Sequence, residues 1–219
     1  VGSQGVEYAL IAQWRARGML DAQHTAPVLS SVNQIFVVSG SCALTTADQI
    51  AVAEAKGFQI LNLDASTATD QRRLEAEMAL IQAECLSLLS QGHDVLVTTA
   101  RGPDDPMVAR VAEAIATYRA TSSDVNARLG TALGQLVSDI RRKTKMQRIA
   151  ISGGDTSGHA LTQLGADALS AVAPLAPGAP LCRVHNRADP AIDGLEVTLK
   201  GGQMGQPTFF LEAKGGPQT

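Results

Sequence analysis

The residues best suited to chemistry are Gly153, Gly154, Asp155, Thr156, Ser157 and Gly158. They follow a β-branched apolar run, Arg148-Ile149-Ala150-Ile151-Ser152, and precede Ala160, Leu161 and Leu164 at helical spacing. This order predicts a strand-to-helix turn. Such a turn directs unpaired backbone N–H groups and the positive end of a helix dipole at one spot, which suits phosphate. Paired glycines let a ligand approach the backbone, and Asp155 and Thr156 could meet a metal ion or a transferred phosphoryl group. A glycine turn that only reverses the chain is the alternative.

Two more strand ends finish the same way. Gln34-Ile35-Phe36-Val37-Val38 runs into Ser39-Gly40-Ser41-Cys42, and Leu195 to Lys200 runs into Gly201-Gly202-Gln203-Met204-Gly205. In a parallel sheet such ends share one edge, the edge where ligands bind. Together the three turns suggest an extended anionic ligand such as a nucleotide. Taken alone, Ser39 to Cys42 reads more simply as a serine cap on the next helix, and Cys42 as a packed small residue. There is no G-x-x-x-x-G-K-[ST], no G-x-G-x-x-G, no G-x-S-x-G and no H-E-x-x-H. His24, His93, His159 and His185 have no ligand spacing.

The positioning elements alternate. Helices are expected from Gln4 to Arg17, Leu44 to Lys56, along Leu74-Met78-Ile81-Cys85-Leu88, along Val108-Val111-Ile115-Tyr118, and along Val125-Leu129-Leu133-Leu136-Ile140. The last ends in Arg141-Arg142-Lys143, read as a solvated helix end. Strands are expected at 34–38, 58–63 and 94–99. Asp64 follows the second of these, where dinucleotide folds carry a ribose-binding acid, a weak signal without the glycine fingerprint. Residues 168–184, with Pro174, Pro177 and Pro180, read as short strands and turns. Leu195 to Lys200 alternates and predicts a strand with one wet face. Thr208-Phe209-Phe210-Leu211 opens a last helix, and Gly215-Gly216-Pro217 a loose tail. The fold class is α/β: a mostly parallel sheet flanked by helices, with an antiparallel C-terminal portion.

The 219 residues allow one large domain or one and a part. Residues 19–33 are polar and contain Pro27, so the expected division is 1–20, a 21–33 linker, and 34–219. Val1-Gly2-Ser3-Gln4-Gly5 reads as another strand-to-helix turn lacking its strand, which hints at a fragment. Hydrophobic content is 45% with only 3% aromatic, which suits a core of Ala, Val, Leu and Ile. A net charge of −3 with no basic block argues against nucleic acid. Three scattered cysteines and no leader or membrane-length apolar run predict a reduced, cytoplasmic protein.

The turns 38–42, 151–158 and 199–205 resemble, in order, spacing and wording, those of the four-carbon acid sugar kinase family, over nearly the whole chain. The resemblance implies an ATP-binding C-terminal domain. It implies nucleotide contacts at Ser39, Gly40, Ser41, Gly153, Gly154, Asp155, Thr156, Gly201, Gly202 and Gly205. It implies ATP and Mg²⁺ as cofactors, and phosphoryl transfer to a 3-oxo-tetronate, threonate or erythronate. Asp155 is the expected holder of Mg²⁺, or alternatively the acceptor of the substrate proton. Residues 1–20 resemble the last segment of the family's acid-sugar-binding domain. That domain opens with a D-D-x-T-G motif absent here, so this chain alone is expected to bind nucleotide and turn over acid sugar poorly or not at all. Expected partners are ATP, a small acid sugar and the missing N-terminal substrate domain, with a homo-oligomer left open. Rivals are a non-catalytic nucleotide-binding or sensing module, a dinucleotide-dependent oxidoreductase, and a structural domain.

Overall fold

The structure, a computed structural model, describes residues 4–20 and 27–215. Parts of the expected N-terminal turn and linker, His24, and the tail beyond Gly215 lie outside the described residues.

Seven strands form one sheet: β1 Phe36–Ser39, β2 Gln59–Asn62, β3 Val95–Thr98, β4 Arg148–Ser152, β5 Ala168–Ala176, β6 Ala179–His185 and β7 Glu196–Lys200. Their order is β2-β3-β1-β4-β7-β6-β5. The first five positions pair in parallel, in the registers Phe36 with Val95 and Ile149, Gln59 with Val95, and Arg148 with Glu196. β6 and β5 join antiparallel. The mixed α/β sheet expected from the sequence is therefore present.

The pleat divides the core. Phe36, Val38, Ile149 and Ile151 face one side, with Ile81, Cys85, Leu133, Val137 and Ala160 from helices α3 (Gln71–Ser90), α5 (Ser122–Thr144) and α6 (Gly154–Gln163). Ile35, Val37 and Ala150 face the other, with Ile50, Ala53, Phe209 and Phe210 from α2 (Leu44–Ala55) and α7 (Phe209–Gly215). Burial in this apolar layer pushes the Cys85 thiol up to about 12, so it is inert packing. Helix α4 (Pro106–Tyr118) has no buried residue and packs on the 3₁₀ turn Ala65–Thr69.

Helices α5 and α6 meet closely. A β-carbon on Gly134 would stand 2.8 Å from Ala160 Cα, and the His159 ring rests on Gly130. Helix α1 (Gln4–Ala16) ends at Gly18, φ +68°, with Met19 N–H donating to Trp14 O and Gly18 N–H to Arg15 O, a glycine-terminated cap. Its Val6, Leu10 and Trp14 stripe is exposed.

Four expectations change. The 168–184 region is one long hairpin. Pro174 lies within β5, which tolerates it because β5 is an edge strand with irregular register there. β7 has no wet face: Arg148, Thr46 and the Phe209 ring lie against its alternating polar residues, which are spent inside the protein. Glu196 Oε2 accepts from fully buried Arg148 at 2.6 Å, and Lys200 is 1% exposed. The basic end of α5 is not simply solvated. Arg141 donates to Ala191 O and Met146 O, and Arg142 pairs with Asp189, because the loop after β6 folds beneath them. Cys42 is exposed, not packed, since the neighbouring Ser41 takes the inward position.

Arg148 also reaches back along the chain. Its guanidinium donates to Ser30 O and Ala213 O, each at 2.9 Å, while Val32 N–H donates to Lys214 O and Leu29 is buried beside Leu181. The described part of the polar segment before β1 is thus held against the sheet.

Candidate functional site at the strand ends

The three glycine turns adjoin. β1, β4 and β7 are neighbours in the sheet, and the ladder continues past their ends: Gly40 N–H donates to Ser152 O and Gly153 N–H to Lys200 O, both at 2.9 Å. The chain leaves β1 toward α2 on one face and leaves β4 toward α6 on the other. This reversal between adjacent parallel strands is a topological switch point, where open α/β sheets bind ligands.

Glycine is required where the turns touch. A β-carbon on Gly40 would overlap the Thr156 hydroxyl, and one on Gly153 would stand 3.0 Å from it, at φ +119°. Thr156 is buried as a plug between the first two turns. A β-carbon on Gly202 would overlap Ser41 Oγ, so the third turn closes on the first. Gly154 differs: nothing lies within 4 Å of its β-carbon position.

Helix starts separate structural ends from this edge. The Asp70, Asp105 and Thr121 side chains accept backbone N–H bonds at the starts of α3, α4 and α5. α2 and α6 begin at Ala43 and Gly153 with no side-chain cap. Among these five helices, the two uncapped starts are those that leave β1 and β4. Their first-turn N–H groups have no intrahelical acceptor, and both dipoles place positive charge at the switch point.

The predicted residues divide by exposure. Gly40, Gly154 and Asp155 are exposed; Gly201, Gly202 and Gly205 are half-buried; Ser39, Ser41, Gly153 and Thr156 are buried. The serines serve the turn itself. Ser39 Oγ accepts from Ser41 N–H at 3.4 Å, and Ser41 Oγ from Ala43 N–H at 3.2 Å. His159, one turn into α6, packs on Gly130 instead of joining the site. Asp64 caps the 3₁₀ turn and pairs with Arg110.

Three residues were missed by sequence reading. Thr46 is the hub: its hydroxyl lies 3.1 Å from Ser41 Oγ, 3.4 Å from Ser152 Oγ and 2.9 Å from Gly202 O. Lys200 Nζ donates to Thr46 Oγ1 and Gly201 O at 3.1 Å. Its burial lowers the ammonium from the ordinary 10.5 to about 8. Gln49 donates to Met204 O and Gln206 O, fixing the third turn; its Oε1 is buried and accepts no hydrogen bond. The available signal was Thr46 and Gln49 standing on the same helix face as Ile50 and Ala53.

Beside the start of α2 a crevice is lined by Leu44, Ala47, Arg101, Gly102, Pro103 and Pro106. A larger groove runs between α3 and α5 along Leu74, Met78 and Leu136, and no residue of the three turns lines it. No cluster of three or more His, Cys, Asp or Glu occurs among the described residues. Asp155, in the first turn of α6, is an exposed carboxylate at the edge. One carboxylate at such an edge would fit Mg²⁺ were phosphate bound there, since that ion keeps most of its waters and takes its remaining ligands from phosphate. No described helix is long and apolar enough to cross a membrane.

The model of a family described as a nucleotide-binding C-terminal domain matches residues 36–210. A 3-oxo-isoapionate kinase from Paraburkholderia graminis is 41% identical over 208 residues, covering 95% of this chain and 44% of that protein. A 3-oxo-tetronate kinase from Methylobacterium radiotolerans is 29% identical over 215 residues, covering 97% of this chain and 47% of that protein. The chain thus spans about half the length of the curated relatives it matches. A crystal structure of a Haemophilus influenzae protein shares the fold, with a TM-score of 0.67 at 20% identity over 91% of this chain and 43% of that one.

Proposed function

Because this chain belongs to the family of nucleotide-binding C-terminal domains carried by four-carbon acid sugar kinases, we propose that it is the ATP-binding part of such a kinase. The observation that carries the reading is the pair of uncapped helix starts, α2 and α6, meeting at the β1–β4 switch point. An ordinary α/β protein satisfies such ends with side chains, as α3, α4 and α5 do here.

The backbone N–H groups of Gly154, Asp155 and Thr156 at α6, and those opening α2, hold phosphate oxygens. Gly154 is the point of closest approach, since no neighbour crowds its missing side chain. Gly40, Gly201, Gly202 and Gly205 wall the site, and the buried Ser39, Ser41 and Gly153 fix the wall's shape. The crevice at Leu44 and Pro103 takes the adenosine. When bound, ATP supplies the phosphoryl group and Mg²⁺ the charge neutralisation that such transfers need. Asp155 holds Mg²⁺ through its carboxylate or water shell; alternatively it accepts the proton of the attacking hydroxyl. The phosphoryl acceptor is a 3-oxo sugar acid or related tetronate, presented by the part of these kinases to which this chain does not align. Residues 1–20, which lie before the matched 36–210, are the last segment of the acid-sugar-binding domain, and the setting is the reducing cytoplasm, where scattered thiols persist.

Two measurements test the reading. Calorimetry of this chain with MgATP should give saturable binding; none at millimolar nucleotide would sink it. A chimera joining this chain to the unmatched part of the P. graminis kinase should phosphorylate an oxo-tetronate or isoapionate substrate. Nucleotide binding without transfer in that chimera would favour a sensing module.

A further inference from the structure

Lys200 ends β7 and turns its side chain inward, 1% exposed. Its Nζ donates to Thr46 Oγ1, Gly201 O and Gly202 O at 3.1, 3.1 and 3.5 Å, and the Phe209 ring centre lies 5.8 Å away. Every one of these partners is neutral. An ammonium withdrawn from water without an opposing charge costs folding free energy.

The charged groups on the surrounding elements are engaged elsewhere or exposed. On α2, Asp48 is exposed and Glu54 pairs with Arg101. On β4 and β7, Arg148 and Glu196 pair with each other; on β6, Arg183 reaches Glu196. On α7, Glu212 accepts from Thr208 and Lys214 pairs with Asp94. Asp155 of α6 is exposed, and the 201–206 turn carries no titratable side chain. No ion pair among the described residues includes Lys200. Thr46, its hydroxyl partner, is the third residue of α2, so the ammonium sits directly behind one of the two uncapped helix starts.

Resting on the nucleotide reading above, we propose that Lys200 is the cation of the phosphate site. It is a positioning residue that acts through Thr46 and the Gly201–Gly202 turn, and the nucleotide's phosphates supply its missing counter-charge. Nucleotide binding and protonation of Lys200 therefore reinforce each other.

The linkage has a definite sign. Burial holds the unliganded ammonium at about 8. A polyphosphate at the edge favours the charged form and raises that value. Above pH 8, binding must then take up a proton, and affinity falls as pH rises. Below pH 8 the group is already charged and contributes no pH dependence.

The test is titration calorimetry of the 219-residue chain with ADP and Mg²⁺, in buffers of different ionisation enthalpy. ADP is itself fully deprotonated at pH 9. Wild type should take up close to one proton per nucleotide at pH 9, and bind about tenfold more weakly there than at pH 7. Lys200→Met and Lys200→Gln should bind about tenfold or more weakly at pH 7, with a flat profile and no uptake. Variants with undiminished affinity or retained uptake would overturn the inference. If neither variant folds, wild-type uptake decides alone: near one supports it, near zero overturns it. Absence of any nucleotide binding overturns the nucleotide reading as well, whereas binding without uptake overturns only the role of Lys200.

Discussion

Gly40 and Thr156 touch so closely that a β-carbon on the first would overlap the hydroxyl of the second. The turns after β1 and β4 are thus one packed unit, and their glycines do different jobs. Gly40→Ala must push aside a buried threonine and should cost about 1–3 kcal/mol of stability, read by urea denaturation. Gly154→Ala meets nothing within 4 Å and should leave stability within about 0.5 kcal/mol. The same change should weaken ATP binding by about tenfold or more, because it stands where the proposed site brings phosphate to the backbone. Equal nucleotide affinity in Gly154→Ala would remove the phosphate from the start of α6.

Asp155 poses an electrostatic test. A bare carboxylate in a phosphate site repels the ligand; a carboxylate bridged by Mg²⁺ attracts it. Wild type should bind ATP far more tightly with Mg²⁺ than with EDTA. Asp155→Asn should narrow that gap from both sides, binding better without Mg²⁺ and worse with it. In the kinase chimera Asp155→Ala should lower kcat by about a hundredfold or more. Its melting temperature should barely move, since the side chain is exposed. A Mg²⁺ dependence unchanged by the substitution would place the ion elsewhere.

Lys200 also predicts a stability profile without ligand. Its unfolded value is the ordinary 10.5 and its folded value about 8. Between those values the unfolded chain holds a proton that the folded protein lacks, so stability rises with pH. The urea midpoint of wild type should gain on that of Lys200→Met from pH 8 toward 10.5, and the difference should be flat below pH 8. A difference constant across the alkaline window would show that the lysine is not desolvated.

The Arg148–Glu196 pair lies at the opposite end of the strands and should affect stability alone. Arg148→Met leaves Glu196 only its longer contact with Arg183, at 3.7 Å, and strands the carbonyls of Ser30 and Ala213. The expected cost is about 3–5 kcal/mol in urea denaturation. With the protein kept folded, nucleotide affinity should match wild type; a large loss would mean the two strand ends are coupled.

Strands and helices were legible wherever apolar residues kept one period, as in the Leu74 to Leu88 stripe, which became α3. The shared edge of the three turns was legible because parallel strands force their ends together. The Thr46–Lys200–Gln49 network was not. Each residue is polar, and sequence alone gives polar residues no inward direction. The alternation of β7 pointed the wrong way for the same reason: Glu196 and Lys200 follow the pattern of a solvated face, but the Arg148, Thr46 and Phe209 partners take water's place. Pro174 misled similarly, since a proline marks a turn unless its strand is an edge.

The glycines where α5 meets α6 set a mechanical limit. With Gly134 backed onto Ala160 and His159 lying on Gly130, α6 has little room to slide or roll against α5. Its N-terminus is a fixed anvil, aimed before any ligand arrives, so the proposed phosphate would dock there with little loss of ordering entropy.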